Sequence, residues 1–259
     1  MIVELFGAAG SGKTTFANAL ARQLRTAGQR VEAVMSSRPA ESGSLSRPHE
    51  GWRKVLALPR RFARPIAEMG LVWRDQSGQG RPWAELLALD PPVGLVTRLR
   101  MQQYLMRLTH AWSRASIAGH IVLFDQGFVQ AVCTLLLVGR LADDQPLLEK
   151  LISTIPKSDV MIHVRTPRAV VEQRLRQRLR RQGPMERLLE ADLEANLDSI
   201  AVIDRLDEAL KRSGRTVINA LSLDQSSLTE SLTSIQLSLI DRPSGAGLSH
   251  PSISTGAWH

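Results

Sequence analysis

An α/β fold built on a parallel sheet follows from three features of this 259-residue sequence. A short apolar run, Ile2 to Phe6, passes through a glycine-rich turn into a helical pattern and then a second short run, Val31 to Met35. Ile121-Val122-Leu123-Phe124 is apolar without alternation, the pattern of a strand buried on both faces. Two further runs, Val160 to Val164 and Thr216-Val217-Ile218, bring the sheet to about five strands. Strand, loop, helix, strand is the order of a right-handed βαβ crossover.

The elements follow in order. Phe16, Leu20 and Leu24 recur at i, i+4 and i+8 with Ala17 and Ala21 beside them, which makes one apolar helix face, and Gly28 ends it. Residues 36–95 are irregular, broken by Pro, Gly and Ser, and contain Trp52, Trp73 and Trp83. They read as loops and short helices over one end of the sheet, with the tryptophans packing that segment. Leu95 to Gly119 is expected to be a helix, with Leu99, Tyr104, Leu105, Leu108 and Trp112 in the core. An amphipathic helix is expected after Asp125-Gln126-Gly127. Thr166-Pro167 reads as an N-cap and first-turn proline, opening a helix with the stripe Val171, Leu175, Leu179. Leu228, Leu232, Ile235 and Leu239 mark a last helix, and residues 241–259, rich in Ser, Gly and Pro, are expected to be a disordered tail.

Composition excludes several classes. Hydrophobic residues make up 43% and charged residues 22%, ordinary for a globular chain and unlike a collagen or coiled coil. No apolar run approaches the ~20 residues that span a bilayer, so no membrane span is expected. Cys133 is the single cysteine, which excludes an intrachain disulfide. With no basic leader before the first strand, a cytoplasmic, reducing location is expected. The net charge of +8 is local rather than spread. Arg165, Arg168, Arg174, Arg176, Arg178, Arg180 and Arg181 crowd one segment, and Arg53, Lys54, Arg60, Arg61 and Arg64 another. The six histidines show no metal-ligand spacing, so no zinc site is expected.

The chemistry begins at residues 7–14. Gly7-Ala8-Ala9-Gly10-Ser11-Gly12-Lys13-Thr14 matches G-x-x-x-x-G-K-[ST] at every fixed position. Glycines let the backbone turn so that successive N–H groups face phosphate oxygens. The following helix adds its positive N-terminal end. Lys13 brings a cation to the β and γ phosphates, and the Thr14 hydroxyl is a ligand for Mg²⁺. The nucleotide-binding set expected here is Gly7, Ala8, Ala9, Gly10, Ser11, Gly12, Lys13, Thr14 and Thr15, with ATP and Mg²⁺ as ligands. A loop of this kind needs a carboxylate opposite, to hold the metal's water shell or to take an acceptor's proton. Asp125, at the carboxyl end of an apolar strand, is the candidate for both tasks. Neither an N-K-x-D guanine motif nor an L-S-G-G-Q signature occurs, which argues against a GTPase or a transporter ATPase.

Several positions in chain order resemble the nucleotide-kinase branch of P-loop proteins, thymidylate kinases and deoxynucleoside kinases in particular. The phosphate loop opens the chain. Ser37-Arg38-Pro39 looks like the family's acceptor-side R-E-P segment, and Leu123 to Gly127 lies where the family has D-R-Y or E-R-S. Val160 to Arg174 resembles its strand, proline and helix with a fixed arginine. Residues 174–190, with Gly183, Glu186, Arg187 and Glu190, are similar to its mobile lid. Ile218-Asn219-Ala220 resembles the I-D-A segment near the adenine. The resemblance covers residues 1–240 and implies a three-layer P-loop fold with helices on both sheet faces. It implies γ-phosphoryl transfer from Mg-ATP to a small acceptor. Arg38 and Gln126 would then face the acceptor, Asn219 the adenine, and Arg174 and Arg178 would clamp the triphosphate from the lid. Three departures fall on the acceptor side: Gln126 replaces the arginine of D-R-Y, Arg38 lacks the following glutamate, and residues 40–95 match nothing in the family.

Arg174, Arg178 and Arg181 recur at i, i+4 and i+7, and are expected on a helix face opposite the Val171/Leu175/Leu179 stripe. Nucleic acid is disfavoured as a partner, because no aromatic residues interleave with these arginines and aromatics total only 4%. The partner expected is a small-molecule acceptor, with a homodimer admitted. A regulatory ATPase acting on a protein partner is the alternative, favoured by Gln126 and disfavoured by the lid-like arginines.

Overall fold

The computed structural model describes residues 1–35, 82–89, 95–139, 143–181 and 193–240. Arg38 with its neighbours Ser37 and Pro39, Trp52, Trp73, the lid positions from Gly183 to Glu190, and the tail lie outside the described residues, as do the side chains of Trp83 and Arg181.

Five strands form one sheet: β1 (Ile2–Phe6), β2 (Val31–Val34), β3 (Ile121–Phe124), β4 (Val160–Arg165) and β5 (Val217–Leu221). Their order is β2-β3-β1-β4-β5, and every pair is parallel. The helices are α1 (Lys13–Thr26), α2 (Pro82–Leu89), α3 (Leu95–Ser116), α4 (Phe128–Gly139), α5 (Gln145–Thr154), α6 (Arg168–Arg181), α7 (Leu193–Arg212) and α8 (Gln225–Ile240). The expected parallel α/β sheet of five strands is therefore present, with helices on both faces.

Alternation along the strands sorts the two faces. Val3, Leu5, Ile121, Leu123, Val160 and Ile162 point to the side covered by α1 and α8. Ile2, Phe6, Val122, Phe124 and Met161 point to the side covered by α3, α4, α5 and α7. Trp112 of α3 packs there on Phe124 and Phe128, at ring-centroid distances of 5.0 and 5.3 Å. α1 buries Phe16, Leu20 and Leu24 as expected. It closes past Gly28, where Gly28 N–H donates to the Arg25 carbonyl and Gln29 N–H to the Leu24 carbonyl.

Four expectations change. Leu99 is 48% exposed, and Met101 takes its place with Leu105, Leu108, Trp112 and Ala115. At 100° per residue Leu99 lies 120° from Leu105 whereas Met101 lies 40° away. The Thr166 hydroxyl is not a helix cap: it donates to the carbonyl of Ser11 at 3.0 Å, tying β4's end to the phosphate loop. The arginines of α6 flank its apolar stripe rather than oppose it. Arg174 lies 60° and Arg178 only 20° from Val171 around the helix, so both are half-buried. Finally α7, a 20-residue amphipathic helix, had no counterpart in the sequence reading. It buries Val202, Ile203, Leu206, Ala209 and Leu210 against the sheet.

Candidate nucleotide site

The connections leaving β1 and β3 diverge. The chain leaves β1 into α1 on one face and leaves β3 into α4 on the other. The carboxyl ends of these adjacent strands therefore flank the crevice in which parallel α/β sheets bind ligands. The glycine-rich loop ends β1 and Asp125 ends β3, so the two sequence-predicted features meet there.

Gly12 stands immediately before α1 at φ 93°. A side chain there would be strained in the left-handed region, and its Cβ would lie 3.0 Å from Ser222 Oγ. Lys13 is 8% exposed and folds back over the loop. Its Nζ donates to the carbonyls of Gly7 at 2.6 Å and Ala8 at 2.8 Å, so the ammonium already stands inside the loop's curve. Asp125 is fully buried, and its Oδ2 accepts from the Thr14 hydroxyl at 3.2 Å. Its backbone N–H donates to the Val34 carbonyl at 3.3 Å, which fixes the turn to β2. Ser11 is buried, Ala9 half-buried, and Thr15 exposed on α1. Gln126 is half-buried in the turn after Asp125.

Arg174 reaches from α6 across the loop. Its guanidinium donates to the carbonyls of Gly10 (3.3 Å), Ser11 (3.4 Å), Ser222 (2.9 Å) and Leu223 (3.1 Å). One side chain thus joins the phosphate loop to the segment that follows β5. Arg178, one turn further, is half-buried. Asn219 lies inside β5, exposed and paired in register with His163, so the post-β5 residues that meet Arg174 are Ser222 and Leu223 instead. Neither carries a signal in the sequence, because the recognisable apolar run ends at Ile218 whereas β5 runs on to Leu221.

Glu4 was also passed over, as one polar residue in the apolar run of β1. It is fully buried, and its Oε1 accepts from the Val129 N–H at 2.6 Å. Burial pushes its carboxyl up to about 7, against the opposing pull of the Val129 hydrogen bond and the Arg215 charge. Burial, and then the negative charges of Glu4 and Asp125, hold the Tyr104 phenol above its ordinary range. On the β4 side of the loop a cavity of about 300 Å³ is lined by Ala8, Ser11, His163, Arg168, Ile203 and Leu221. His163 stacks on Phe6 at 4.8 Å, and burial lowers its pKa although Asp207 stands 3.5 Å away.

The donor set fits magnesium. Thr14 and Asp125 supply two converging oxygens, and Mg²⁺ takes one or two protein oxygens beside phosphate and water. Among the described residues no cluster of three or more His, Cys, Asp or Glu suits a transition metal.

No protein-family model matches the chain, and no curated protein does. Among solved structures it is similar to deoxyadenosine kinase from M. mycoides. The form with products dCMP and a flexible dCDP aligns at 15% identity and a TM-score of 0.45, over 93% of this chain and all of that one. The forms with bound dCTP and dATP align at 16% and 14% identity, each at a TM-score of 0.45, over 92% of this chain and all of theirs. The fold rests on the sheet order and the loop geometry given above.

Proposed function

We propose that this chain is an ATP-dependent phosphotransferase that moves the γ-phosphoryl group of Mg-ATP to a small acceptor of the nucleoside or nucleotide class. The observation that carries the reading is the convergence of the Lys13 ammonium, the glycine-rich loop and the Thr14–Asp125 pair at the ends of two adjacent strands. Loop N–H groups and Lys13 bind and orient the triphosphate, as positioning and charge stabilisation require. Thr14 and Asp125 would hold the metal. When bound, Mg²⁺ neutralises charge on the β and γ phosphates. Asp125 takes the proton of the acceptor hydroxyl as it attacks. Arg174 fixes the loop against the post-β5 segment, and Arg178 faces the transferring group. Asn219, Arg38 and Gln126 retain the roles that the family resemblance gives them.

The acceptor class rests on that resemblance alone. A regulatory ATPase acting on a protein partner is the second reading, favoured by Gln126 in place of the family's arginine. Turnover of Mg-ATP with and without nucleosides and nucleoside monophosphates separates the two. Many-fold stimulation by one acceptor supports transfer, and a rate indifferent to all of them supports the ATPase.

A further inference from the structure

We infer that Glu4 is a positioning residue whose carboxylate braces the Asp125-Gln126-Gly127 turn against β1 and so sets Asp125 against Thr14. This rests on the nucleotide reading above and deepens it.

Register places Glu4 beside Phe124, the last residue of β3. Its side chain emerges on the α4 face of the sheet and meets the chain where it turns from β3 into α4. There Oε1 accepts the N–H of Val129, in the first turn of α4, at 2.6 Å. The Glu4 oxygen accepts this N–H in either protonation state of the carboxyl group. The same carboxylate fills the space above Gly127. A Cβ on Gly127 would lie 2.5 Å from Glu4 Cδ and 2.7 Å from Cγ, so a side chain there would push the Glu4 carboxyl group away from the Val129 N–H. The Gly127 carbonyl in turn accepts from the Tyr104 hydroxyl at 3.4 Å. Asp125 is thus held on both sides: by its own N–H bond to Val34, and through Gly127 and Val129, two and four residues on, which Tyr104 and Glu4 hold.

Stability alone does not account for this carboxylate. Among the described residues Oε2 has no hydrogen-bond partner, and burying an incompletely paired carboxyl in an apolar strand costs more than an apolar side chain there. What the carboxylate adds is a fixed turn at the point where a metal-binding oxygen must stand still.

The test is a mutant cycle read through magnesium. ATP binding is measured by calorimetry across a Mg²⁺ titration for wild type, Glu4→Ala, Gly127→Ala, the double variant and Glu4→Gln. We expect Glu4→Ala to raise the Mg²⁺ midpoint several-fold while ATP affinity without Mg²⁺ stays within about twofold. Gly127→Ala should weaken Mg-ATP binding at least tenfold alone, yet less than twofold on top of Glu4→Ala, where its clash is gone. Glu4→Gln should retain most of the wild-type midpoint, because its amide oxygen still accepts from Val129. An unchanged Mg²⁺ midpoint in Glu4→Ala overturns the inference, as does a Gly127→Ala cost equal in both backgrounds. Wild type that does not bind Mg-ATP overturns the nucleotide reading instead. The brace is then read from the Val129 amide, whose hydrogen exchange must accelerate at least tenfold in Glu4→Ala, and its failure to do so overturns the brace.

Discussion

Under the proposed reading, Lys13 is the main cationic contact of the phosphate loop to a bound triphosphate. Its ammonium donates to two loop carbonyls, which keep it inside the cradle that phosphate oxygens would enter. Charge-assisted hydrogen bonds contribute about 1.5–3 kcal/mol each. Lys13→Ala is therefore expected to weaken Mg-ATP binding by roughly a hundredfold, about 2.7 kcal/mol, with the far-ultraviolet circular dichroism unchanged. Calorimetry that finds wild-type affinity in the variant contradicts the account at this scale. Glu4 gives a second prediction, in pH. Its folded carboxyl titrates near 7, above the ordinary 4.5, so the folded state holds the proton more tightly than the unfolded chain. Its contribution to stability is complete below pH 4.5 and is lost as pH rises toward 7, by about 2–3 kcal/mol. His163, with its lowered pKa, acts in the opposite direction and loses stability as pH falls below 6.5. The difference in unfolding free energy between wild type and Glu4→Gln isolates the Glu4 slope, since His163 is common to both. Wild type should fall relative to the variant between pH 4.5 and 7, and a flat difference contradicts the assignment. Lys13 and Thr14 stand out by motif spacing alone, and Asp125 because it ends the unalternated apolar run Ile121 to Phe124. Glu4 was not, because its partners Gly127 and Val129 lie more than a hundred positions away in the chain.

At the scale of elements, α6 shows what periodicity reveals and what it hides. Of the stripe Val171, Leu175 and Leu179, the first two are buried and Leu179 is half-buried. The same arithmetic puts Arg174 and Arg178 beside that stripe, and the structure turns Arg174 onto four backbone carbonyls. Arg176, by contrast, is 62% exposed and, among the described residues, pairs with Glu172 of its own helix at 2.6 Å. Such exposed pairs contribute little. Arg174→Ala is expected to weaken Mg-ATP binding about tenfold and to speed amide exchange at Ser11 and Leu223, whereas Arg176→Ala stays within about twofold. Equal effects from the two substitutions contradict a specific role for Arg174. Helix ends behave likewise. Asp144, uncalled in the sequence, accepts the Leu147 N–H at 2.9 Å and caps α5. Arg215 closes the other end of α5, donating to the carbonyls of Ile152, Ile155 and Pro156. α5 and α7 escaped the sequence reading because their apolar positions are interspersed with charge, and only contact with the sheet shows which face matters.

The described residues form a parallel sheet in which the connections leaving β1 and β3 diverge, and the glycine-rich loop, Lys13, Thr14 and Asp125 cluster at that divergence. The strands were legible because continuous apolar runs leave few alternatives. Their order was not, since adjacency in a sheet depends on crossovers that pass over intervening strands. Ligand linkage tests the cluster as a unit. At a hundred times its dissociation constant Mg-ATP should stabilise the fold by about 2.7 kcal/mol and raise Tm by about 5–10 °C, and it should do neither in Lys13→Ala. The acceptor side was less legible. Its residue Arg38 lies outside the described residues, and Gln126 departs from the family pattern.

The central claim is phosphoryl transfer from Mg-ATP by this loop, and ADP production tests it most directly. Wild type and Lys13→Ala are assayed with nucleosides, nucleoside monophosphates and sugars as acceptors, against a no-acceptor control. The account predicts that one nucleoside or nucleotide raises wild-type turnover many-fold, that the phosphorylated acceptor accumulates in step with ADP, and that Lys13→Ala is inactive. ADP production that is absent, or that Lys13→Ala retains, contradicts it.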